Sequence, residues 1–568
     1  MQADKNWNLL YKFKIKSRQT LSKVLLANRG IKTKKEIEEF LNPRLENVTV
    51  ESVGIYKKQL KKAIVRIESA IKKKEEVIVF GDYDVDGICG SAILWETLTE
   101  AGAKALPYIP HRLDEGYGLS KIGIDNLLLK NPRIKIIITV DNGIVAGKAV
   151  EYANKKGIDI IITDHHVPSK NLPKAYAIVH TTKLCGAGVA YLLAQEIKNV
   201  ILRRSRRISG SFASAQDDNG KGNTHLELVA LATIADLVPL TGANRILIKF
   251  GIEALRKTKR PGLLALIKEA EIDKDLIDIF EIGHVIAPRL NAMGRLEYAM
   301  DSLRLLCTKD LKRAEALAKE LISTNKRRQE LTIEALEHAR MKIQNSKVKT
   351  QNLIFIAHES YQQGVIGLVA GRLVEEFYRP SIVLSIGEKY SKASARSISG
   401  FNIIEFIREA SDLLVDAGGH PMAAGFTVET SKIAVLEKKF EELAIALLNT
   451  KKLERILMID TQISLKDITN NFYSNLLKLS PFGIGNPKPT FVSRKVAIED
   501  MRLVGVDGKH LKLRLQQSTV LDAIAFGMGE RENELHIGDA IDVVYTIDQD
   551  KWNGNNRLQL KIKDLRKL

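Results

Sequence analysis

Cysteine is nearly missing from this chain: Cys89, Cys185 and Cys307 are the only three in 568 residues, far apart and without metal-ligand spacing. They can build neither a disulfide framework nor a thiolate zinc site, and a reducing cytoplasm is the compartment they fit. Long apolar runs are missing too. Nothing approaches the roughly 20 residues of a membrane span, and the opening MQADKNWNLLYKFKIKSRQ has no signal-type apolar segment. A soluble cytoplasmic protein without a membrane partner is expected. Acidic residues are outnumbered, 68 against 87 lysines and arginines, which leaves a net charge of +19. An excess of that size favours a polyanionic partner, nucleic acid above all.

The length exceeds what one hydrophobic core supports and suggests about three or four domains. Residues 1–55 read as a helical lead-in, with LSKVLLANRG stopping at a glycine and TKKEIEEFLNP opening on a threonine cap. From 56 to 300, apolar strands such as EEVIVF, IKIIITV and IDIIIT alternate with amphipathic helices. Strands without polar alternation, separated by helices, predict a parallel sheet covered on both faces. Residues 203–223, RRSRRISGSFASAQDDNGKGN, interrupt this pattern with polar low-complexity sequence and read as a disordered surface insertion. Residues 301–346 keep helical periodicity almost throughout, predicting one connecting helix of about 40 residues, roughly 60 Å long. A second α/β segment occupies 347–450. In 451–568, short alternating runs such as HLKLRL and RLQLKIKDL predict a small β-barrel.

The stretch VIVFGDYDVDGICGSA sets Asp82, Asp84 and Asp86 on alternate positions and closes them with Gly87. A calcium loop of the EF-hand type would need a glutamate at its twelfth position and a helix in front. Ile93 stands at that position and a β-branched run precedes the loop, so the calcium reading fails. A nucleophilic aspartate of the haloacid-dehalogenase type would need a later lysine and acidic pair in order, and the nearest acidic pair, Asp217 and Asp218, lies in the low-complexity insertion. Two further apolar strands run into DNG at Asp141 and into DHH at Asp164, His165 and His166. Open α/β sheets gather their ligands at this carboxyl edge. An apolar helix, LVALATIADLVPL, ends on Asp236. Carboxylates crowded at one sheet edge repel one another unless cations sit among them, and oxygen ligands with an imidazole suit Mn²⁺ or Mg²⁺. A pair of such ions activates water and stabilises the leaving oxygen of a phosphodiester.

These residues resemble a known family. GDYDVDG, VDNG, DHH and ATIADLVPL are similar to the signature motifs of the DHH phosphoesterase superfamily, and ASARSISGFN with GGHPMAAGF to its DHHA1 domain. LLANRGI, YIPHRLDEGYGL, PRLNAMGRL, GVIGLVAGRLVEEFYRP and PFGIGNPKPTF resemble the RecJ family within it, in order and over nearly the whole chain. The resemblance implies a DHH domain (56–300), a connecting helix, a DHHA1 domain (347–450) and an OB-fold (451–568). It implies a 5′→3′ exonuclease specific for single-stranded DNA, acting by two-metal-ion catalysis in recombination and repair. A monomer is expected, with a single-strand-binding protein and a helicase as partners.

By motif, Asp82, Asp84, Asp141, His165 and Asp236 would ligate two Mn²⁺ or Mg²⁺ ions. His166 would sit beside the reacting phosphate, with Asp164 and Asp84 in the catalytic set. Ser394 and Arg396 would bind a 5′-phosphate, faced by Arg112, Arg289 and Arg295, and His420 would line the same cleft. Tyr361, Gln362 and Gln363 stand where the family often has Trp-His. The same metal motifs would also serve a nanoRNase or cyclic-dinucleotide phosphodiesterase, and a non-catalytic single-strand-binding relative would keep the fold without the ligands.

Overall fold

The computed structural model describes residues 5–12, 18–112, 114–209, 224–345, 352–448, 453–550 and 557–568. The chain enters through a short strand, β1 (Asn6–Tyr11). Then β2 (Glu76–Phe80), β3 (Lys104–Tyr108), β4 (Ile134–Val140), β5 (Asp159–Asp164) and β6 (Ala177–His180) form an all-parallel sheet in the order β3-β2-β4-β5-β6. Successive side chains of a strand point to opposite faces. Val77, Val79, Ile136, Ile138 and Ile161 pack with the helix Val85–Glu100 on one side. Ile78, Phe80, Ile137, Ile160 and Ile162 pack with Lys121–Lys130 and Gly147–Lys155 on the other. Burial on both faces is why these strands read as unbroken apolar runs, and each buried Val or Ile contributes about 1.5–3 kcal/mol. The outer strands β3, KALPY, and β6, AIVH, carry no such run, and the sequence does not announce them.

The helix Gly186–Ser209 runs through the first residues assigned to the insertion; the rest of it, 210–223, lies outside the described residues. The connecting segment is also two helices rather than one. Met300–Cys307 stops at Thr308, whose backbone is extended. The next helix, Leu311–Asn345, starts after Asp310, whose Oδ1 accepts from the Arg313 N–H at 2.7 Å. Its 35 residues span roughly 52 Å at 1.5 Å each.

Beyond it, β7 (Ile354–His358), β8 (Ser381–Ser385), β9 (Tyr390–Arg396), β10 (Leu414–His420) and β11 (Ala423–Glu429) form a mixed sheet in the order β10-β11-β9-β8-β7. The C-terminal region contains β12 (Ile456–Gln462), β13 (Phe491–Val504), β14 (His510–Gln516), β15 (Val520–Ala525), β16 (Ala540–Asp550) and β17 (Arg557–Lys567). A closed barrel runs β13-β14-β15-β17-β16 and returns to β13, while β12 pairs in parallel with β1. Among the described residues, no helix is long and apolar enough to cross a membrane.

The two ends of the chain fold together. Leu21, Leu25, Leu26 and Phe40 of the lead-in share one core with Leu511, Leu513 and Tyr545 of the barrel. Arg245 ties this unit to the first domain. It is 2% exposed and donates to the carbonyls of Phe40 (3.2 Å), Leu479 (3.0 Å) and Lys478 (3.3 Å), with its guanidinium 3.8 Å over the Phe40 ring. Arg245→Ala would take the donor from the Phe40 and Lys478 carbonyls and leave a cavity, while the Leu479 carbonyl keeps the Asn486 Nδ2–H at 2.8 Å. The change should cost about 3 kcal/mol, seen as a lower first transition in thermal unfolding.

Candidate metal centre and phosphate cleft

Three strands of the parallel sheet deliver carboxylates to one edge. Beyond β2 the chain turns through Gly81, Asp82, Tyr83 and Asp84, and Asp84 caps the helix Val85–Glu100. Its Oδ1 accepts from the N–H groups of Asp86 (2.9 Å) and Gly87 (3.1 Å). Gly87 must be glycine, because a Cβ there would stand 2.5 Å from the Asp82 nitrogen. β4 releases Asp141 in the left-handed region, at φ 63°. Its N–H donates to the Thr163 carbonyl at 3.0 Å. Gly186 presses on it from the next helix, where a Cβ would come within 2.6 Å of the Asp141 Cβ. β5 ends on Asp164 and passes into His165 and His166, and Asp236 closes the helix Leu226–Ala235.

The result is one acidic cluster with an imidazole at its centre. His165 Nε2 lies 3.1 Å from Asp141 Oδ1 and 3.6 Å from both Asp86 Oδ2 and Asp236 Oδ2. Asp82, Asp84 and Asp141 offer oxygens within 4.8 Å of one another, as do the donor atoms of Asp86, His165 and Asp236, and of Asp141, His165 and His166. Burial, and then the neighbouring carboxylates, push the Asp82 and Asp141 carboxyls well above the usual range and Asp84 upward as well. Asp236 rises to about 9 for the same reasons. Burial holds the His165 ring neutral, the form that ligates metal.

Four buried atoms here make no hydrogen bond: Asp82 Oδ1, Asp141 Oδ1, His165 Nε2 and Asp236 Oδ2. Orphaned buried polar atoms are costly and rare, and four of them within one cluster of donor groups mark a place for cations. Oxygen donors with one imidazole fit Mn²⁺ or Mg²⁺.

Asp164 differs from its neighbours. Its Oδ1 accepts from the N–H groups of His165 (2.7 Å) and His166 (3.1 Å) and lies 2.8 Å from His166 Nδ1, while Oδ2 accepts from the Ile144 N–H at 2.9 Å. Burial raises this carboxyl, but His166 and the backbone donors outweigh it and hold it below its ordinary value. Burial likewise opposes charge on His166, and Asp164 more than compensates. His166 Nε2 faces the Tyr117 hydroxyl at 3.2 Å. The ring of His420, from β10, stacks on His166 at 5.8 Å and 16°.

Opposite the cluster stands a cleft of arginines. Ser394 and Arg396 alternate along β9 and share a face; Arg396 Nη1 donates to Ser394 Oγ (3.2 Å) and to the Ala395 carbonyl (2.9 Å). Gly367 lets them approach the helix Ile366–Phe377, since a Cβ there would sit 2.9 Å from Ser394 Oγ and 3.0 Å from Arg396 Nη2. Arg295 Nη1 reaches the Gly364 carbonyl at 3.3 Å, and Arg112 lies 5.0 Å over the Tyr83 ring. Arg289 turns back to the Val285 carbonyl at 2.7 Å, leaving its buried Nε unpartnered. Burial, with Arg112, Arg328 and Arg396 nearby, lowers Arg295 to about 10. Burial and Arg112 lower Arg396 as well. An anion in this cleft would relieve the mutual repulsion.

Of the residues singled out in the sequence, Asp82, Asp84, Asp141, Asp164, His165, His166 and Asp236 fall on the cluster, His420 stacks against it, Arg112, Arg295, Ser394 and Arg396 gather nearby, and Arg289 lies beside Arg328. Three others were missed. Asp86 is 1% exposed and accepts from the Gly186 (2.6 Å) and Ala187 (2.7 Å) N–H groups; its alternation with Asp82 and Asp84 was the available signal. Tyr117 stood inside YIPHRLDEGYGL. Arg328 had no signal among the charges of its helix. Tyr361, where the motif departs, is 2% exposed with its hydroxyl 2.8 Å from His338 Nδ1, a position inside the core rather than in the cleft.

Comparison with known proteins agrees with this architecture. Family models for the DHH family N-terminal domain, the DHHA1 domain and the RecJ OB domain match residues 76–233, 345–446 and 459–564. The single-stranded-DNA-specific exonuclease RecJ of Bacillus subtilis (strain 168) is 35% identical over 556 residues, covering 95% of this chain and 67% of that protein. The Escherichia coli (strain K12) protein of the same name is 31% identical over 572 residues and 95% of each chain. The crystal structure of RecJ from Thermus thermophilus in complex with Mn²⁺ superimposes with a TM-score of 0.82 at 28% identity, covering all of this chain and 80% of that one. With likeness of this extent in sequence and in fold, the chain belongs to the RecJ family.

Proposed function

We propose that this protein is an exonuclease specific for single-stranded DNA, hydrolysing phosphodiester bonds from the 5′ end with Mn²⁺ or Mg²⁺. The observation that carries the reading is the set of four orphaned, buried donor atoms facing a cleft of mutually repelling arginines. Asp82, Asp84, Asp141, His165 and Asp236 would hold two ions, and bound ions of this kind activate water and stabilise the leaving oxygen.

The protein's own groups do the rest. Asp86 fixes Gly186 against Asp141 and so holds that ligand in its left-handed conformation. A carboxylate can only accept, so the hydrogen on His166 Nδ1 points to Asp164, and Nε2 is left to take or give a proton beside the Tyr117 hydroxyl. Ser394 and Arg396, with Arg295 and Arg112 opposite, take the terminal 5′-phosphate and stop the strand one step past the scissile bond. Arg289 and His420 line the same path. The barrel holds the strand beyond, on the side away from its end. The protein works as a monomer in the cytoplasm, with a single-strand-binding protein and a helicase supplying exposed strand.

The test compares a 5′-labelled with a 3′-labelled single strand, beside a duplex and a dinucleotide, all in Mn²⁺. Labelled mononucleotide should appear at once from the 5′-labelled strand and last from the 3′-labelled one, with the duplex resistant. Preference for the dinucleotide over the long strand would instead identify a small-substrate phosphodiesterase.

A further inference from the structure

Between the acidic cluster and the barrel lies an apolar cavity of about 290 Å³ that the mechanism does not use. Ile234 and Leu237, flanking Asp236, form one wall; His284 and Asn291 form the second; Gly483 and Ile484, in the linker to the barrel, form the third. The cavity backs onto the metal centre, because Asn291 Oδ1 accepts from the Val85 N–H at 2.9 Å, between Asp84 and Asp86. It also abuts the barrel's lead-in, because the Leu240 N–H donates to the Ile484 carbonyl at 2.7 Å.

Its rim presents apolar groups to solvent. Leu237 is 66% exposed and Ile484 50%, and Phe280, which follows the lining residue Ile279 but does not itself line the cavity, is 62% exposed beside it. Phe280 stacks on His284 with ring centroids 4.7 Å apart and planes within 15°, so the pair leaves a broad ring face open. His284 belongs to a π-helical turn, Glu281–Ile286, a rare geometry concentrated at functional sites. Leu237 is held at φ 59°, strain that persists only where the surroundings impose it and that clusters at binding sites. No charged side chain lines the cavity, so it suits the flat apolar part of a ligand whose charge lies elsewhere.

We infer that this cavity is a nucleobase subsite for the substrate strand, taking a base just 3′ of the scissile phosphate and stacking it against the Phe280–His284 pair between Leu237 and Ile484. The inference rests on the exonuclease reading. The cavity spans from the residues flanking Asp236 to Gly483 and Ile484 in the linker, the direction a strand would take with one phosphate at the metal centre and its following nucleotides on the barrel. Most of the lining is aliphatic; its polar groups are few, Thr233, His284 and Asn291, and Asn291 Oδ1 is already engaged by the Val85 N–H. The subsite should therefore grip any base and discriminate little among them.

The test uses 5′-phosphorylated oligonucleotides carrying one abasic residue at successive positions from the 5′ end. kcat/KM for release of the first nucleotide is measured in Mn²⁺ with the wild-type protein, Phe280→Ala, Ile484→Ser and Phe280→Trp. For the wild type, one position within the first few nucleotides 3′ of the scissile bond should show a loss of about tenfold, in the range of a single base-stacking contact. Phe280→Ala and Ile484→Ser should be weaker on the intact strand and lose nothing further at that position, whereas Phe280→Trp should keep the wild-type profile. The subsite is refuted if the wild type is indifferent to every abasic position while degrading the intact strand, or if the abasic and Phe280→Ala losses multiply as independent effects. An enzyme that fails on the intact strand would overturn the exonuclease reading itself, a separate outcome.

Discussion

Asp141→Ala, assayed on a single strand in saturating Mn²⁺, should lower kcat by at least about a thousandfold, close to 4 kcal/mol of lost transition-state stabilisation. Asp141 belongs to two of the three donor groups of the cluster and approaches the His165 imidazole most closely. No other carboxylate can replace it, because Gly186 and the left-handed backbone fix its place. The fold should survive, since the lost group is a carboxyl that burial and its neighbours already disfavour in ionised form. Thermal unfolding separates the two effects. Mn²⁺ should raise the transition of the wild type, as any ligand of the native state does, and raise that of Asp141→Ala much less. Near-normal turnover in the variant would remove Asp141 from the metal centre.

The second large effect concerns how the enzyme recognises an end. Arg396→Ala should cost about ten- to a hundredfold in kcat/KM on a 5′-phosphorylated strand, the value of a charge-assisted bond of roughly 1.5–3 kcal/mol. On a strand ending in a 5′-hydroxyl the same change should matter little, because the terminal dianion is absent. Burial and Arg112 already disfavour the Arg396 charge, so the group gains most when a phosphate arrives. The measurement is a cycle of two enzymes against two ends. Equal losses on both would mean that Arg396 holds an internal phosphate, and the end pocket would then be sought around Arg112, Arg289 and Arg295.

The acidic edge was legible because parallel strands buried on both faces spell themselves as unbroken Ile and Val. IKIIITV and IDIIIT therefore announce where Asp141 and Asp164 emerge. Other features depend on partners distant in sequence. The carboxylate of Asp86 is tied to backbone N–H groups of Gly186 and Ala187, about a hundred residues on, and backbone donors leave no trace in side-chain identity. β1 alternates exposed with half-buried residues, and its partner β12 lies at the other end of the chain, so NWNLLY looked like nothing in particular. The stop at Thr308 is a local cap within a periodic stretch, which periodicity alone reads straight through. Arg328 joins the arginine cleft only because its helix packs beside the helix Ala287–Leu296.

If the buried carboxylate–imidazole cluster holds the metals on which hydrolysis depends, manganese must be found there in active protein. Anomalous diffraction at the manganese edge, from crystals equilibrated with Mn²⁺ and prepared from protein of known activity, tests it most directly. Two strong peaks are expected, enclosed by Asp82, Asp84, Asp141, His165 and Asp236, both lost together with activity on chelation. Active protein with no peak in that cluster, or with manganese bound only elsewhere, would contradict it.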